Sequence, residues 1–221
     1  MKVCTDACLF GAWITACLKH KKILPKNILD IGTGTGLLSL LLAQKTSATI
    51  DAIEIQSAAA VQAKENFDAS PWKDRLSVFS ADILHYNVQT KYELIIVNPP
   101  FFEDDLLSAD ANKNTAKHAG SLSLQELIKI IALHLSEDGL AAKVVPYHRS
   151  AFFETKALAE GLFTIKKLLV QQTPKHLPFR TMLLCSKKEK TLQQSAIIIH
   201  NNERQYSSEF IALLKDYYLK L

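Results

Sequence analysis

The chain has 221 residues, of which 48% are hydrophobic and 22% charged, with only 7 glycines and 7 prolines, a balance that excludes a disordered, collagen-like or coiled-coil chain and fits a packed domain. The four cysteines, Cys4, Cys8, Cys17 and Cys185, form no C-x-x-C pair, so neither a disulfide framework nor a metal site is encoded. No apolar run approaches the roughly 18 residues of a membrane span, and Asp6 interrupts what would be a signal-peptide core; a cytoplasmic protein with no membrane and no metal is expected.

The net charge of +4 is unevenly spread. Residues 1–142 hold 13 basic and 16 acidic side chains, 143–190 hold 10 and 3, and 191–221 hold 3 and 3. The basic third carries Arg149, Lys166, Lys167, Lys175, Arg180, Lys187, Lys188 and Lys190, a pattern suited to phosphates. Phe179, between Pro178 and Arg180, has the type and setting to stack a nucleotide.

In chain order, Lys19-His20-Lys21-Lys22 before Pro25 has two readings, a contact for RNA and a solvated helix end, of which the second is preferred. From Asn27 onward apolar strand-like runs alternate with helical ones: NILDI, ATIDAIEI, RLSVF, YELIIV, GLAAKVV, LFTIKKLLV and TMLLCS. That rhythm predicts an α/β fold, a parallel sheet covered by helices. The segment Leu37–Ala43 is apolar almost all round and should pack against the sheet. Ser123 and Glu126 form a capping-box pattern, and Leu124, Leu127, Ile128, Ile131 and Leu135 recur at helical spacing up to Gly139. The 18 residues from Phe102 to Ala119 have no period and are long for a loop, so they are expected to serve the site or to move. Glu103, Asp104 and Asp105 lack the His or Cys company of a metal cluster. With no repeat and no Gly/Ser/Pro linker, residues 1–221 read as one domain.

Strand one runs into Asp30-Ile31-Gly32-Thr33-Gly34-Thr35-Gly36, which is G-x-G-x-G where a dinucleotide fold has G-x-G-x-x-G. A carboxylate at Asp30 repels a pyrophosphate and attracts a cationic amino-acid moiety. Glu54, at the end of the second strand and about 20 residues on, sits where a ribose diol is held. Ribose plus cation describes S-adenosylmethionine. After strand three, Asp82 is placed to accept from the adenine amino group, with Ile55 and Ile83 on either side of the ring. Strand four ends in Asn98-Pro99-Pro100-Phe101. The prolines stiffen that corner, so Asn98 and the Pro99 carbonyl are suited to accept the N–H bonds of an exocyclic amine and stabilise the charge that develops on it. Phe101 is suited to stack on the flipped base, at roughly 1–3 kcal/mol.

DIGTGTG, the acidic strand tips and NPPF resemble the Rossmann-like class I methyltransferases that modify an amino or amide nitrogen. With MKVCTDACLFGAW at the start, NFDASPW, HAGSLSLQELI and YSSEFIALLKDYYLKL, nearly the whole chain resembles the bacterial tRNA1(Val) (adenine(37)-N6)-methyltransferase family. The resemblance implies a seven-stranded, mostly parallel sheet with helices on both faces, S-adenosylmethionine as methyl donor and an anticodon-loop adenine of tRNA as acceptor; a chain acting as a monomer is expected. It also implies that residues 1–26 form a shortened lid over the cofactor, with 27–221 the core, and that Thr5 and Asp6 lie near the donor's methionine end. The family's pattern has glycines where this chain has Cys4 and Cys8. Arg149, Lys175, Phe179 and Arg180 are the candidate RNA contacts. The same NPPF chemistry also serves release-factor glutamine methylation and ribosomal-RNA guanine N2 methylation, usually with an added N-terminal domain; a third reading is a module that binds RNA and donor without turnover.

Overall fold

The computed structural model describes residues 4–86, 90–98 and 122–218. A 17-residue helix, α1 (Thr5–Lys21), precedes β1 (Asn27–Ile31), α2 (Leu37–Ala43), β2 (Thr49–Glu54), α3 (Ser57–Asp68), β3 (Leu76–Ser80) and β4 (Tyr92–Val97). Then come α4 (Leu124–His134), β5 (Leu135–Pro146), α5 (Ser150–Ala159), β6 (Phe163–Gln171), β7 (Arg180–Ser186), β8 (Gln193–Ile198) and α6 (Ser208–Leu214).

The strands form one sheet in the order β3-β2-β1-β4-β5-β7-β6-β8. β7 runs antiparallel to both its neighbours, and the other pairs are parallel. Among the described residues the sheet therefore has eight strands, one more than expected. The extra strand, β8, is an edge strand whose first four residues are exposed, so its polar sequence QQSA carries no burial pattern to betray it. The expected capping box opens α4: Ser123 Oγ accepts from Glu126 N–H, and Glu126 Oε2 accepts from Ser123 N–H at 2.9 Å. The helix stops earlier than its apolar spacing suggests, because Leu135 already pairs with Tyr92 as the first residue of β5.

Two apolar layers cover the sheet. One gathers Ile28, Ile50, Leu94, Val144 and Leu184 under α1, α2 and α6; the other gathers Ile31, Ile95, Val97 and Leu183 under α4 and α5. Much of the segment expected to form a lid packs into the core: Leu9, Phe10 and Ile14 of α1 are fully buried, while Thr5, Asp6 and Ala7 of its first turn keep exposed surface. α1 meets α2 across Gly11, where an added Cβ would lie 2.6 Å from Leu41 Cδ1 and 3.3 Å from Leu38 Cδ2. The C-terminal segment braces the same helix. Ser207 Oγ caps α6 by accepting from Phe210 N–H, and the Thr15 and Tyr217 hydroxyls are 2.7 Å apart.

A leucine at Gly11 has no room unless α1 lifts away from α2. Gly11→Leu is expected to lower unfolding free energy by about 2–3 kcal/mol in urea, while Gly11→Ala stays within about 1 kcal/mol because its gain in helix propensity offsets the crowding of one flexible leucine tip.

Candidate functional site

From β1 the chain steps outward through β2 to β3 and then crosses to the far side of β1 to make β4. Such a switch point leaves a crevice beyond the carboxyl ends of the two central strands. The register sets its walls: Ile31 pairs with Val97, so the glycine loop and Asn98 leave adjacent strands side by side. Asn98 is half-buried, and no described residue hydrogen-bonds to its side chain. Pro99, Pro100 and Phe101 lie outside the described residues, as do Phe102–Ala119.

The glycine loop is held by its backbone. Gly32 and Thr33 N–H both donate to Ile53 C=O, at 2.8 and 3.1 Å, and Gly34 N–H donates to Glu54 Oε2 at 2.8 Å. Gly32, Gly34 and Gly36 have φ of 70°, 60° and 85°, the left-handed region that side chains disfavour. Gly36 is doubly constrained, because a Cβ there would lie 2.4 Å from Phe67 Cε1.

Asp30 is entirely buried. Its Oδ2 accepts from Thr33 Oγ1 at 2.6 Å and Ser39 Oγ at 2.7 Å, while Oδ1 is buried with no partner among the described residues. Burial raises its carboxyl to about 6, opposed by the two hydroxyls and by the Ser39 backbone, and reinforced by nearby Glu54. The carboxylate expected to face a cationic ligand thus sits beneath the loop, tying its Thr33 and the first turns of α2 to β1. Thr33 and Ser39 had no place in the sequence reading; hydroxyls three and nine residues past the acid are the signal that was there.

Glu54 is 8% exposed. Oε1 accepts from Gln56 N–H at 2.9 Å and Oε2 from Gly34 N–H, and each oxygen retains a lone pair for a further donor. Ile55 next to it is 57% exposed. Ile83, expected on the opposite face of a ring, is buried in the core layer under α4 and offers little free surface. Asp82 is half-buried, and its Oδ1 accepts from Leu84 N–H at 2.9 Å.

The structure brings together two groups that the sequence kept apart. Because β7 runs backward, it starts at the edge where the parallel strands end, and Arg180 Nε donates to Asp6 Oδ2 at 3.2 Å. The Arg180 guanidinium also lies 5.4 Å from the Phe179 ring centre. Burial, and next the Cys8 thiol, push the Tyr218 hydroxyl up to about 12, with Thr5 opposing. Lys175 is exposed in the turn between β6 and β7. Arg149 stacks over Phe152 at 5.0 Å. The four candidate RNA contacts therefore share the crevice's edge of the sheet, whereas Lys187, Lys188 and Lys190 lie at the opposite edge and Lys166 lies within β6, paired with Leu184.

One residue of note was missed. Lys143 of β5 pairs in register with Val97, next to Asn98, and is 6% exposed. No described residue pairs with its ammonium, and burial pulls it down to about 7. A single charge inside GLAAKVV is the sequence signal.

A family model described as "Methyltransferase small domain" matches residues 12–139. The tRNA1(Val) (adenine(37)-N6)-methyltransferase of Flavobacterium psychrophilum is 38% identical over 100% of this chain and 94% of that protein. Its namesake in Trichodesmium erythraeum is 40% identical over 100% of this chain and 92% of that protein. The chain belongs to this methyltransferase family. Among solved structures, an S-adenosylmethionine-dependent methyltransferase from Clostridium acetobutylicum superposes with a TM-score of 0.60 at 13% identity, covering 84% of this chain and 92% of that one. At that identity the likeness speaks for the class I methyltransferase fold alone. No helix among the described residues is long and apolar enough to cross a membrane.

Lys143 fixes a pH dependence. Its ordinary pKa is about 10.4, so between about 7 and 10 the unfolded chain binds a proton that the folded chain does not, and stability rises with pH across that window. The full cost is present below 7. Lys143→Met is expected to be the more stable chain at pH 7, and the wild type to recover about 1–2 kcal/mol relative to it by pH 8.5 in paired urea titrations.

Proposed function

We infer that the protein transfers a methyl group from S-adenosylmethionine to the N6 amine of adenine 37 in the anticodon loop of tRNA1(Val), acting as a cytosolic monomer built as one domain. The observation that carries this reading is the β1–β4 register. It sets a glycine loop with no side chains at its turning points beside an asparagine whose amide has no described partner.

The residues present fit the donor. Glu54 keeps acceptor capacity for ribose hydroxyls, Ile55 offers an open apolar face to adenine, and Asp82 stands at the next strand tip for the exocyclic amine. Gly32, Gly34 and Gly36 admit close approach of the ligand. Asp30, with its unpartnered Oδ1, adds negative potential beneath the loop, which favours a cation above it. Thr5 and Asp6 flank the methionine end, with Asp6 fixed by Arg180. When bound, S-adenosylmethionine supplies an electrophilic methyl on sulfur.

The protein's part in the transfer is positioning and fixed dipoles. The Asn98 side-chain oxygen accepts an N–H of the target amine and so turns the nitrogen's lone pair out of conjugation. With Pro99 and Pro100 as the stiff corner and Phe101 as the stacking surface, the same dipoles stabilise the positive charge that grows on nitrogen. Arg149, Lys175, Phe179 and Arg180 receive the RNA at this edge.

Asn98→Ala tests the assignment. Turnover on unmodified tRNA is expected to fall by about a hundredfold or more with donor affinity nearly unchanged, since the lost interaction belongs to the transition state. Mass spectrometry of the nucleosides should find N6-methyladenosine at position 37 with the wild type; an equal loss of donor affinity in the variant, or methyl label on protein alone, would overturn the reading.

A further inference from the structure

The lysines at the edge opposite the crevice are arranged as a group. Lys19 and Lys21 lie in the last turn of α1, and Lys22 is its C-cap, with φ of 52°. Lys166 lies near the start of β6 and Lys190 just past the end of β7. Three elements distant in sequence thus deliver five cations to one end of the molecule.

Neighbouring lysines at that edge are neutralised: Lys45 pairs with Asp216 at 2.8 Å, Lys187 with Glu137 at 2.9 Å and Lys188 with Asp138 at 2.5 Å. Among the described residues, none of the five is in a salt bridge. Lys21 is pulled below its ordinary pKa, first by burial and then by Lys190 and Lys166, while Cys17 opposes. Asp216 lies near Lys19 and Asp138 near Lys190, but each of these acids is already paired, with Lys45 and Lys188, so the cations outnumber the acids beside them and build a potential that a polyanion relieves. Beside them, between α1, α2 and α6, opens a cleft of about 700 Å³ walled by Leu24 and Tyr217, with Lys19, Lys22, Lys45 and Lys215 among its lining.

The distance between the two edges decides which phosphates are in reach. β7 has seven residues, and at about 3.3 Å per residue it separates the edges by roughly 20 Å. An anticodon loop lodged at the crevice cannot also touch this group; the helical body of the same RNA can. Resting on the function proposed above, we propose that Lys19, Lys21, Lys22, Lys166 and Lys190 form a second RNA-binding surface that holds phosphates of the tRNA outside the anticodon loop.

The test compares full-length tRNA with the isolated anticodon stem–loop. The protein carries Lys19→Ala, Lys21→Ala, Lys22→Ala, Lys166→Ala and Lys190→Ala together; a second variant, Lys19→Ala with Lys22→Ala, changes only exposed side chains and guards against misfolding. Filter binding of full-length tRNA is expected to weaken at least about tenfold in the fivefold variant, and the slope of log affinity against log salt to become shallower by about three. Binding and methylation of the stem–loop should match wild type, and kcat on full-length tRNA should be kept. Equal losses on both RNAs, or an unchanged salt slope, would overturn the proposal, as would a loss of affinity for anionic vesicles or an acidic polypeptide with tRNA binding intact. Binding is read without turnover, so the two readings fail separately. A wild type that binds tRNA without methylating it contradicts the proposed function, whereas one that methylates it with a slope unmoved by the substitutions contradicts only this surface.

Discussion

A carboxylate with no access to water underlies the geometry of the crevice. Asp30 accepts from Thr33 and Ser39 through one oxygen, and with Ile53 C=O holding Gly32 and Thr33 N–H it fixes a loop that has no side chains of its own at its turns. Three glycines in the left-handed region carry a large entropic cost of ordering. The buried acid below and Glu54 beside them add side-chain anchors to the backbone bonds that hold the loop to one path. The loop's shape is therefore a property of β1, β2 and α2 together.

Asp30 and Lys143 are both ionisable groups enclosed by apolar strands, and they are balanced differently. Asp30 keeps two hydroxyl donors that oppose its desolvation, while Lys143 has no described partner, so burial moves its pKa the farther from the ordinary value. A buried charge left so exposed to its own desolvation is destabilising. Its register beside Val97, one residue short of Asn98, places that cost at the wall of the crevice.

The central strands were legible because each is an apolar run ending in a polar or acidic tip, and parallel strands buried on both faces read that way. Glu54 and Asp82 could be put at strand ends on that basis alone, whereas Asp30, expected to face a ligand, is buried beneath the loop. β8 was not legible, since Gln193, Gln194 and Ser195 face solvent at an edge and leave no pattern. The end of α4 was misjudged because Leu135 satisfies helical spacing and strand pairing alike. The Asp6–Arg180 pair spans 174 positions, and no local rule reaches that far; only the reversal of β7 brings them together. That reversal also divides the basic third of the chain. Arg180 opens β7 at the crevice, and Lys187 to Lys190 follow its other end.

This division of charge answers a conflict in the reaction itself. The donor is a cation and the acceptor is part of a polyanion, so the field that gathers RNA repels the sulfonium. Two like charges about 4 Å apart in water cost about 1 kcal/mol, and far more where water is excluded; at roughly 20 Å the same pair costs about 0.2 kcal/mol before salt screens it further. Positive charge gathered at the far edge can hold phosphates with almost no penalty to donor binding. At the near edge Arg180 is offset by Asp6, and the groups closest to the glycine loop are the acids Asp30 and Glu54. On the role proposed for Asn98, the group that acts on the reacting nitrogen is dipolar, an amide oxygen at the end of β4. That is the kind of group able to stabilise charge developing on the amine without repelling the methyl donor.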